Sequence, residues 1–193
     1  MENPAPPSPL TPAAFAYTGA CAISLVLLGR LAEPLRVYGA AHGGALLGGR
    51  DPVQGLLWGI AAGAAAAALG EAVSRWTSWG RLFSRLMEKL LGTVHPADAL
   101  LLALLSGFGE ELLFRGLALP YLGLYASSAL FGLAHVIPRR GLWPLALWAG
   151  ANGLALGWLA QATGGLLAPT AAHVLVNAAG LLQLARAPRR GAE

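Results

Sequence analysis

Side chains that could act on a peptide bond stand at four places within otherwise apolar stretches of this chain. Glu110 and Glu111 are adjacent, His135 follows them, and His173 and Asn177 lie further along the chain. One carboxylate, two imidazoles and one amide can supply a general base, a group that orients water, and hydrogen-bond donors for an oxyanion. These groups together suit the hydrolysis of an amide by an activated water molecule.

The spacing of the first group indicates which carboxylate is available for chemistry. Glu111 and Arg115 are four residues apart with the acid first, which is the favourable order for an ion pair on one helix face. We expect this pair to be a structural salt bridge. Glu110 is left without a local partner, because Phe114 occupies the corresponding position. Glu110 is therefore the candidate general base, and the alternative is a second acid at a solvated helix end.

The other candidate residues also occur in pairs four positions apart. His173 is paired with Asn177 in this way, and Phe131 is paired with His135. A lone His or Asn in a membrane helix is usually hydrogen-bonded to a neighbouring helix, so that role is the alternative to chemistry. Motifs for other reactions are missing from the sequence. It contains no Ser-x-x-Lys, Gly-x-Ser-x-Gly or His-Glu-x-x-His motif and no phosphate-binding glycine loop beside a lysine.

The composition predicts that membrane helices hold these groups. Of the 193 residues, 56% are hydrophobic and only 11% are charged. A soluble domain of this size needs a more polar surface, so a soluble enzyme and a disordered chain are both disfavoured. The net charge of +4 comes from cations in short stretches between apolar runs. This arrangement indicates membrane topology and contact with anionic lipid, and it does not favour a nucleic-acid partner.

The sequence predicts an all-α fold, a polytopic membrane helical bundle of about six transmembrane helices with one amphipathic interfacial helix. A membrane helix needs about 20 mostly apolar residues. The candidate spans are 13–29, 52–70, 97–114, 116–138 and two within 141–185, broken near Thr163-Gly164-Gly165. The second span has Gly59 and Gly63 at the spacing that lets helices approach closely. Arginines alternate with tryptophan and leucine over 71–95, which predicts the interfacial helix.

This pattern divides the chain into five parts within one domain. They are an irregular cytoplasmic leader (1–12), two N-terminal spans (13–70), the amphipathic segment (71–95), a core (96–186) and a basic cytoplasmic tail (187–193). Nine Lys and Arg residues fall on one side of the predicted spans and four on the other, the four including Arg115. The positive-inside rule then places both termini in the cytoplasm. The composition is typical of a protein of the bacterial cytoplasmic membrane.

Five short motifs over residues 95–185 resemble, in order and spacing, those of one family. They are Glu110-Glu111-x-x-x-Arg115, Phe131-x-x-x-His135, Gly153-x-x-x-Gly157, Thr163-Gly164 and His173-x-x-x-Asn177. The family is CPBP, the CAAX-processing and bacteriocin-processing intramembrane proteases, also called ABI. The resemblance implies an all-helical membrane core that cleaves peptides at a site within the membrane.

By this resemblance, Glu110 and His135 would activate the attacking water, and His173 and Asn177 would stabilise the tetrahedral oxyanion. Glu111 and Arg115, with Phe131 of the second motif, would organise the site. Glu110, His135 and His173 could instead ligate zinc. We favour a mechanism without a metal cofactor, because the amide suits an oxyanion hole.

The implied substrate is a peptide segment of a membrane-associated protein, such as a CAAX tail or a sorting signal. The expected partners are therefore membrane lipid and that protein or peptide, and the sequence does not indicate an oligomeric state. Two other functions remain open. One is a non-catalytic scaffold of the same fold, such as a bacteriocin self-immunity factor, and the other is a small transporter that uses the same ionisable groups.

The predicted span boundaries conflict with a shared site. At about 1.5 Å per residue, Glu110 and His173 lie roughly 20 and 18 Å from the cytoplasmic ends of their spans, and His135 only about 5 Å. We therefore expect either that the third span begins nearer residue 101 or that the fourth helix continues past Pro138, and a tilt of the helices would also reduce the difference.

Overall fold

The computed structural model describes residues 47–91, 94–138 and 141–186, which fold into a bundle of α-helices. A seven-residue π-helical segment, Leu112–Ala118, joins the third helix to the fourth. The helices of these ranges are α1 (Pro52–Trp76), α2 (Ser78–Leu91), α3 (Pro96–Glu111), α4 (Leu119–Ala134), α5 (Trp143–Thr163) and α6 (Leu167–Arg186). The predicted all-α membrane bundle is confirmed.

Three helical stretches of the described part are long and apolar enough to cross a membrane: Pro52–Trp76, Pro96–Ala134 and Leu167–Ala185. Large apolar side chains such as Trp58, Tyr125 and Leu147 are exposed on the outside of the bundle, as lipid-facing side chains are. The predicted leader, first span and C-terminal tail lie outside the described residues. The number of passes and the position of the termini therefore stay predictions.

The predicted boundary between the third and fourth spans, at Arg115, is wrong. The helix continues through Arg115, and the chain departs from helical geometry at Gly123, where φ is 75° and ψ is 174°. A glycine is required there because a positive φ strains other residues. In one straight helix, Glu110 and His135 would be about 37 Å apart, yet their side chains are 3.7 Å apart. The chain therefore folds back at Gly123.

Helix α1 packs on α6 through a row of buried glycines, Gly55, Gly59 and Gly63. A Cβ added at Gly59 would lie 2.4 Å from the carbonyl oxygen of Ala168. One added at Gly63 would lie 2.8 Å from the carbonyl oxygen of Ala172. The glycine spacing predicted from the sequence therefore corresponds to a close approach of two helix backbones.

The predicted amphipathic segment 71–95 is divided at Thr77. Helix α1 extends to Trp76, six residues beyond the predicted end of its span, and Ser78–Leu91 form α2. The Thr77 hydroxyl accepts a hydrogen bond from the Gly80 N–H at 3.0 Å and so caps the start of α2. Arg81 and Arg85 of α2 are exposed, and Phe83 on the opposite face is partly buried, so α2 is amphipathic as predicted.

The break predicted near residue 164 separates α5 from α6. Gly164 adopts the left-handed conformation, with φ 74°, and its N–H donates to the carbonyl of Ala160, which ends α5. On α5, a Cβ added at Gly157 would lie 2.6 Å from Leu124 of α4, so this glycine lets the two helices approach. These turns place α3, α4, α5 and α6 around one centre.

Candidate active site

Helices α3 and α6 run antiparallel, and two polar contacts one helical turn apart join them. Glu110 Oε2 lies 3.8 Å from Nε2 of His173. One turn away, Asn177 donates a hydrogen bond from Nδ2 to Oγ of Ser106 at 2.9 Å. Between the two contacts, Gly107 lies so close to α6 that an added Cβ would be 2.7 Å from Val174. The close backbone approach holds the polar groups at one level.

The reversal at Gly123 brings His135 to the same level. Glu110 lies thirteen residues before Gly123 and His135 lies twelve residues after it, so the two side chains meet across the fold. The two changes of span boundary expected from the depth conflict are wrong. Helix α3 starts at Pro96, the π-helical segment continues it past Arg115, and α4 ends at Ala134.

The two imidazole rings present the same nitrogen to Glu110. Nδ1 of His135 is 2.8 Å from the carbonyl oxygen of Phe131, and Nδ1 of His173 is 2.7 Å from Oε1 of Glu111. Both partners accept hydrogen bonds, so each Nδ1 carries the hydrogen. In a neutral ring, Nε2 therefore keeps its lone pair, and both Nε2 atoms face Glu110.

The Glu110 carboxylate has a buried oxygen, Oε2, without a hydrogen-bond partner in the described part of the chain. Its distances to the two Nε2 atoms, 3.7 and 3.8 Å, exceed a direct hydrogen bond. They are short enough for one water molecule to contact the carboxylate and a ring together. Three acceptors therefore converge on a point where a molecule with O–H or N–H donors would bind.

Glu111 and Arg115 form the predicted ion pair, but it is buried inside the bundle. Nη1 of Arg115 donates to Oε1 of Glu111 at 2.9 Å, and the two side chains are 3% and 0% exposed. Arg115 also donates from Nη2 to the carbonyl oxygen of Gly153 at 3.1 Å. Because Arg115 is buried, it does not belong in the loop charges from which the orientation was predicted. Since Glu111 also accepts from His173, the pair fixes the position of that ring.

Phe131 packs at the centre of these groups. Its ring meets Phe114 edge-to-face at a centroid distance of 4.9 Å and lies 4.6 Å from the His135 ring. The guanidinium carbon of Arg115 lies 4.4 Å from its centroid, a cation–π contact. The His173 ring lies 5.7 Å away. Phe131 therefore supports both imidazoles and the arginine by contact.

A cavity of about 690 Å³ opens on the site, and Glu110, His135, His173 and Asn177 all line it. Its walls are mainly apolar and extend to helices α1, α2 and α5. They include Ala66, Trp79, Phe83, Met87, Trp148 and Leu156. A few polar groups at one place in a large apolar cavity are the usual form of a ligand site.

Several polar residues of the cavity did not emerge from the sequence, and Ser106 and Asn152 are two of them. Ser106 lies four residues before Glu110, on the same helix face, and this spacing is the signal that could have identified it. Asn152 donates from Nδ2 to the carbonyl oxygen of Trp148 at 2.9 Å within its own helix. As the one asparagine of α5, it could have been singled out by its cost in a membrane helix.

Glu110, His135 and His173 are the residues that could hold zinc, and their spacing can be compared with that of zinc ligands. Tetrahedral zinc with bonds of about 2.0–2.1 Å holds its ligand atoms about 3.4 Å apart, whereas the carboxylate oxygen is 3.7 and 3.8 Å from the two nitrogens. Within the described ranges, no group of three His, Cys, Asp or Glu side chains is arranged to hold a metal ion. The mechanism without a metal stays a prediction.

Fold and site together define a class, an α-helical membrane bundle with a Glu–His centre beside an apolar cavity. Residues 91–179, which include all of the site side chains, match a family described as type II CAAX prenyl endopeptidase Rce1-like. The resemblance to the CPBP family predicted from the motifs is thereby confirmed over this part of the chain.

A curated protein is also similar to part of this chain. The chain is 33% identical over 91 residues to the uncharacterized protein YpbD of Bacillus subtilis (strain 168). The alignment covers 47% of this chain and 48% of YpbD, so the chain spans about half the length of that relative. No solved structure matches the chain significantly.

Proposed function

We propose that this protein is an intramembrane endopeptidase that hydrolyses a peptide bond in a membrane-associated protein or peptide. The observation that carries the proposal is the meeting of Glu110 Oε2 with Nε2 of His135 and Nε2 of His173, at 3.7 and 3.8 Å. A carboxylate oxygen without a partner is costly in a membrane bundle, and ionisable groups kept there usually serve a function. The match to an endopeptidase family supports the same conclusion.

In the proposed reaction, a water molecule lies between Glu110 and His135, and its O–H groups point at the two acceptors. Its oxygen attacks the carbonyl carbon of the substrate, and one of its protons moves to Glu110 Oε2. The C–N bond of the tetrahedral intermediate then breaks, and the leaving nitrogen takes that proton. One acid and one amine are released, and Glu110 returns to its ionised form.

His173 and Asn177 are the proposed partners of the oxyanion. Nδ1 of His173 is held by Glu111, so Nε2 is the atom that faces the reacting centre, and it donates when the ring carries both protons. Asn177 donates one amide hydrogen to Ser106 and has a second one for the substrate. Such fixed donors stabilise charge that develops in the transition state.

The substrate class follows from the cavity. Its apolar walls suit a segment that is itself apolar or carries an apolar group, with the scissile bond next to Glu110. A CAAX-type C-terminal tail fits the description of the matched family, and a bacterial sorting signal fits the same cavity. We place the protein in a bacterial cytoplasmic membrane with both termini in the cytoplasm, as the distribution of basic residues predicts.

Cleavage in proteoliposomes tests this function. The substrates are membrane-anchored peptides, one with a prenylated CAAX tail and one with a sorting signal. We expect Glu110→Gln, His135→Ala and His173→Ala each to lower the cleavage rate by at least about 10²-fold. Glu88→Gln, at an exposed carboxylate of α2, is the matched control and should cleave at the wild-type rate.

Two results would overturn the proposal. One is wild-type cleavage by Glu110→Gln at equal protein amount. The other is the absence of cleavage of every peptide by the wild-type protein, which would favour the non-catalytic scaffold.

A further inference from the structure

Ser106 is a buried hydroxyl one helical turn from Glu110, and the proposed mechanism does not use it. Its side chain is on the face of α3 that meets α6, and the residue is 4% exposed. Asn177 donates to Oγ of Ser106 from Nδ2 at 2.9 Å across the helix interface. This bond and the Glu110–His173 contact are successive polar contacts of one interface.

The direction of the Ser106–Asn177 bond is set by the serine itself. The hydroxyl of Ser106 donates to the carbonyl oxygen of Ala103 at 3.4 Å, within its own helix. Its lone pair is therefore the group that faces α6, and it selects the NH₂ end of the Asn177 carboxamide over the oxygen end. Gly107 lets α3 approach α6 closely at Val174. This approach keeps the Asn177 amide within hydrogen-bond distance of the Ser106 hydroxyl.

We propose that Ser106 is a positioning residue that sets the rotation of the Asn177 carboxamide, so that its second N–H is presented to the substrate oxygen. This inference rests on the proposed function, because Asn177 is there a donor to the oxyanion. An amide that is free to turn over and tilt is seldom aligned with the oxyanion, and in the flipped orientation its oxygen repels the oxyanion. The serine removes that unproductive orientation before substrate binds, which is preorganisation of the site.

Kinetic measurements in proteoliposomes separate positioning from general support of the fold. We expect Ser106→Ala to lower kcat about tenfold with KM nearly unchanged, a smaller loss than the roughly 10²–10³-fold expected when an oxyanion donor is removed. Ser106→Thr keeps the hydroxyl and should recover most of the rate.

The matched control is Ser127→Ala. Ser127 is also a buried serine, but its hydroxyl bonds only to the carbonyl oxygens of Gly123 and Leu124 in its own region. We expect its kcat to stay within about twofold of the wild type.

A double variant tests whether Ser106 acts through Asn177. If it does, Ser106→Ala lowers the rate tenfold in the wild type but has no further effect in the Asn177→Ala background. Equal losses in both backgrounds would overturn the proposal, because Ser106 would then act independently of the amide.

An NMR measurement decides the proposal even if no substrate is cleaved. The chain has three asparagines, Asn3, Asn152 and Asn177, so ¹⁵N-asparagine labelling gives three pairs of side-chain N–H signals, and Asn177→Ala assigns one pair. We expect Ser106→Ala to shift the Asn177 signal and speed its hydrogen exchange while the Asn152 signal stays in place. An unchanged Asn177 signal would overturn the positioning role, whereas a wild-type protein that cleaves no peptide would overturn only the proposed function.

Discussion

Helix α6 has two interfaces that hold the bundle together in different ways. Towards α1 it presents Ala168 and Ala172, whose backbone meets the glycines of α1. Towards α3 it presents His173 and Asn177, which meet a carboxylate pair and a serine. The first interface depends on small side chains and close backbone approach, and the second on directional polar contacts.

The difference shows that both interfaces contribute stability, but only the polar one also places reactive groups. Close packing of glycine against alanine brings α1 and α6 together without placing any reactive group. The polar interface fixes atoms to within a hydrogen bond, because His173 is bonded to Glu111 and Asn177 is bonded to Ser106 across it. The family match covers residues 91–179, which include the polar interface and exclude α1. Substitutions in the two interfaces should therefore have separable effects.

The largest effect on folding is expected next to the polar interface, from Arg115→Met, because Arg115 pairs with Glu111. The substitution leaves the fully buried Glu111 carboxylate without its cation, which typically costs about 3–5 kcal/mol. Thermal unfolding in detergent should show a large loss of stability and cleavage should be lost with it. Arg85→Met, at an exposed position of α2, is the control and should unfold like the wild type. Wild-type stability of Arg115→Met would mean that the buried ion pair does not hold the site together.

A smaller effect is expected at the apolar interface, from Gly59→Ala. The added Cβ would lie 2.4 Å from the carbonyl oxygen of Ala168, so α1 and α6 must separate. Overpacking of this kind costs about 1–3 kcal/mol, and we expect lower thermal stability with partial activity. In Gly180→Ala the added Cβ meets nothing within 4 Å, so this helix position should be neutral or slightly stabilised. Equal behaviour of the two variants would contradict the close approach.

The smallest effect is expected from removal of metal ions. Because the spacing of Glu110, His135 and His173 is wider than that of zinc ligands, chelation should leave the cleavage rate unchanged. The measurement is the rate after extended treatment with a chelator and again after zinc is added. Loss of cleavage followed by recovery with zinc would contradict the metal-free mechanism.

Local spacing predicted the parts of this structure that depend on one helix. The pairing of Glu111 with Arg115 followed from their separation of four, and the break at Gly164 followed from a pair of glycines between apolar runs. The close approach at Gly59 followed from the same kind of pattern. In each case the predictive pattern lies within a few residues of the chain or along one face of a single helix.

The position of the turn between the third and fourth helices could not be predicted from charge. Arg115 was placed at a helix end because an exposed arginine is costly in lipid, but Glu111, the Gly153 carbonyl and the Phe131 ring bury it within the helix. Gly123 makes the turn instead. The contact of Ser106 with Asn177 joins residues 71 positions apart, and spacing along the chain does not predict a contact of that kind.

The most direct test of the central claim, that Glu110 and His135 act on one water molecule, is the cleavage rate of their double variant. We expect Glu110→Gln and His135→Ala each to lower kcat by about 10²–10⁴-fold. The double variant should be no more than about threefold slower than the slower single variant, because the second group has no activated water to act on. Losses that multiply in the double variant, or a wild-type rate for Glu110→Gln, would contradict the account.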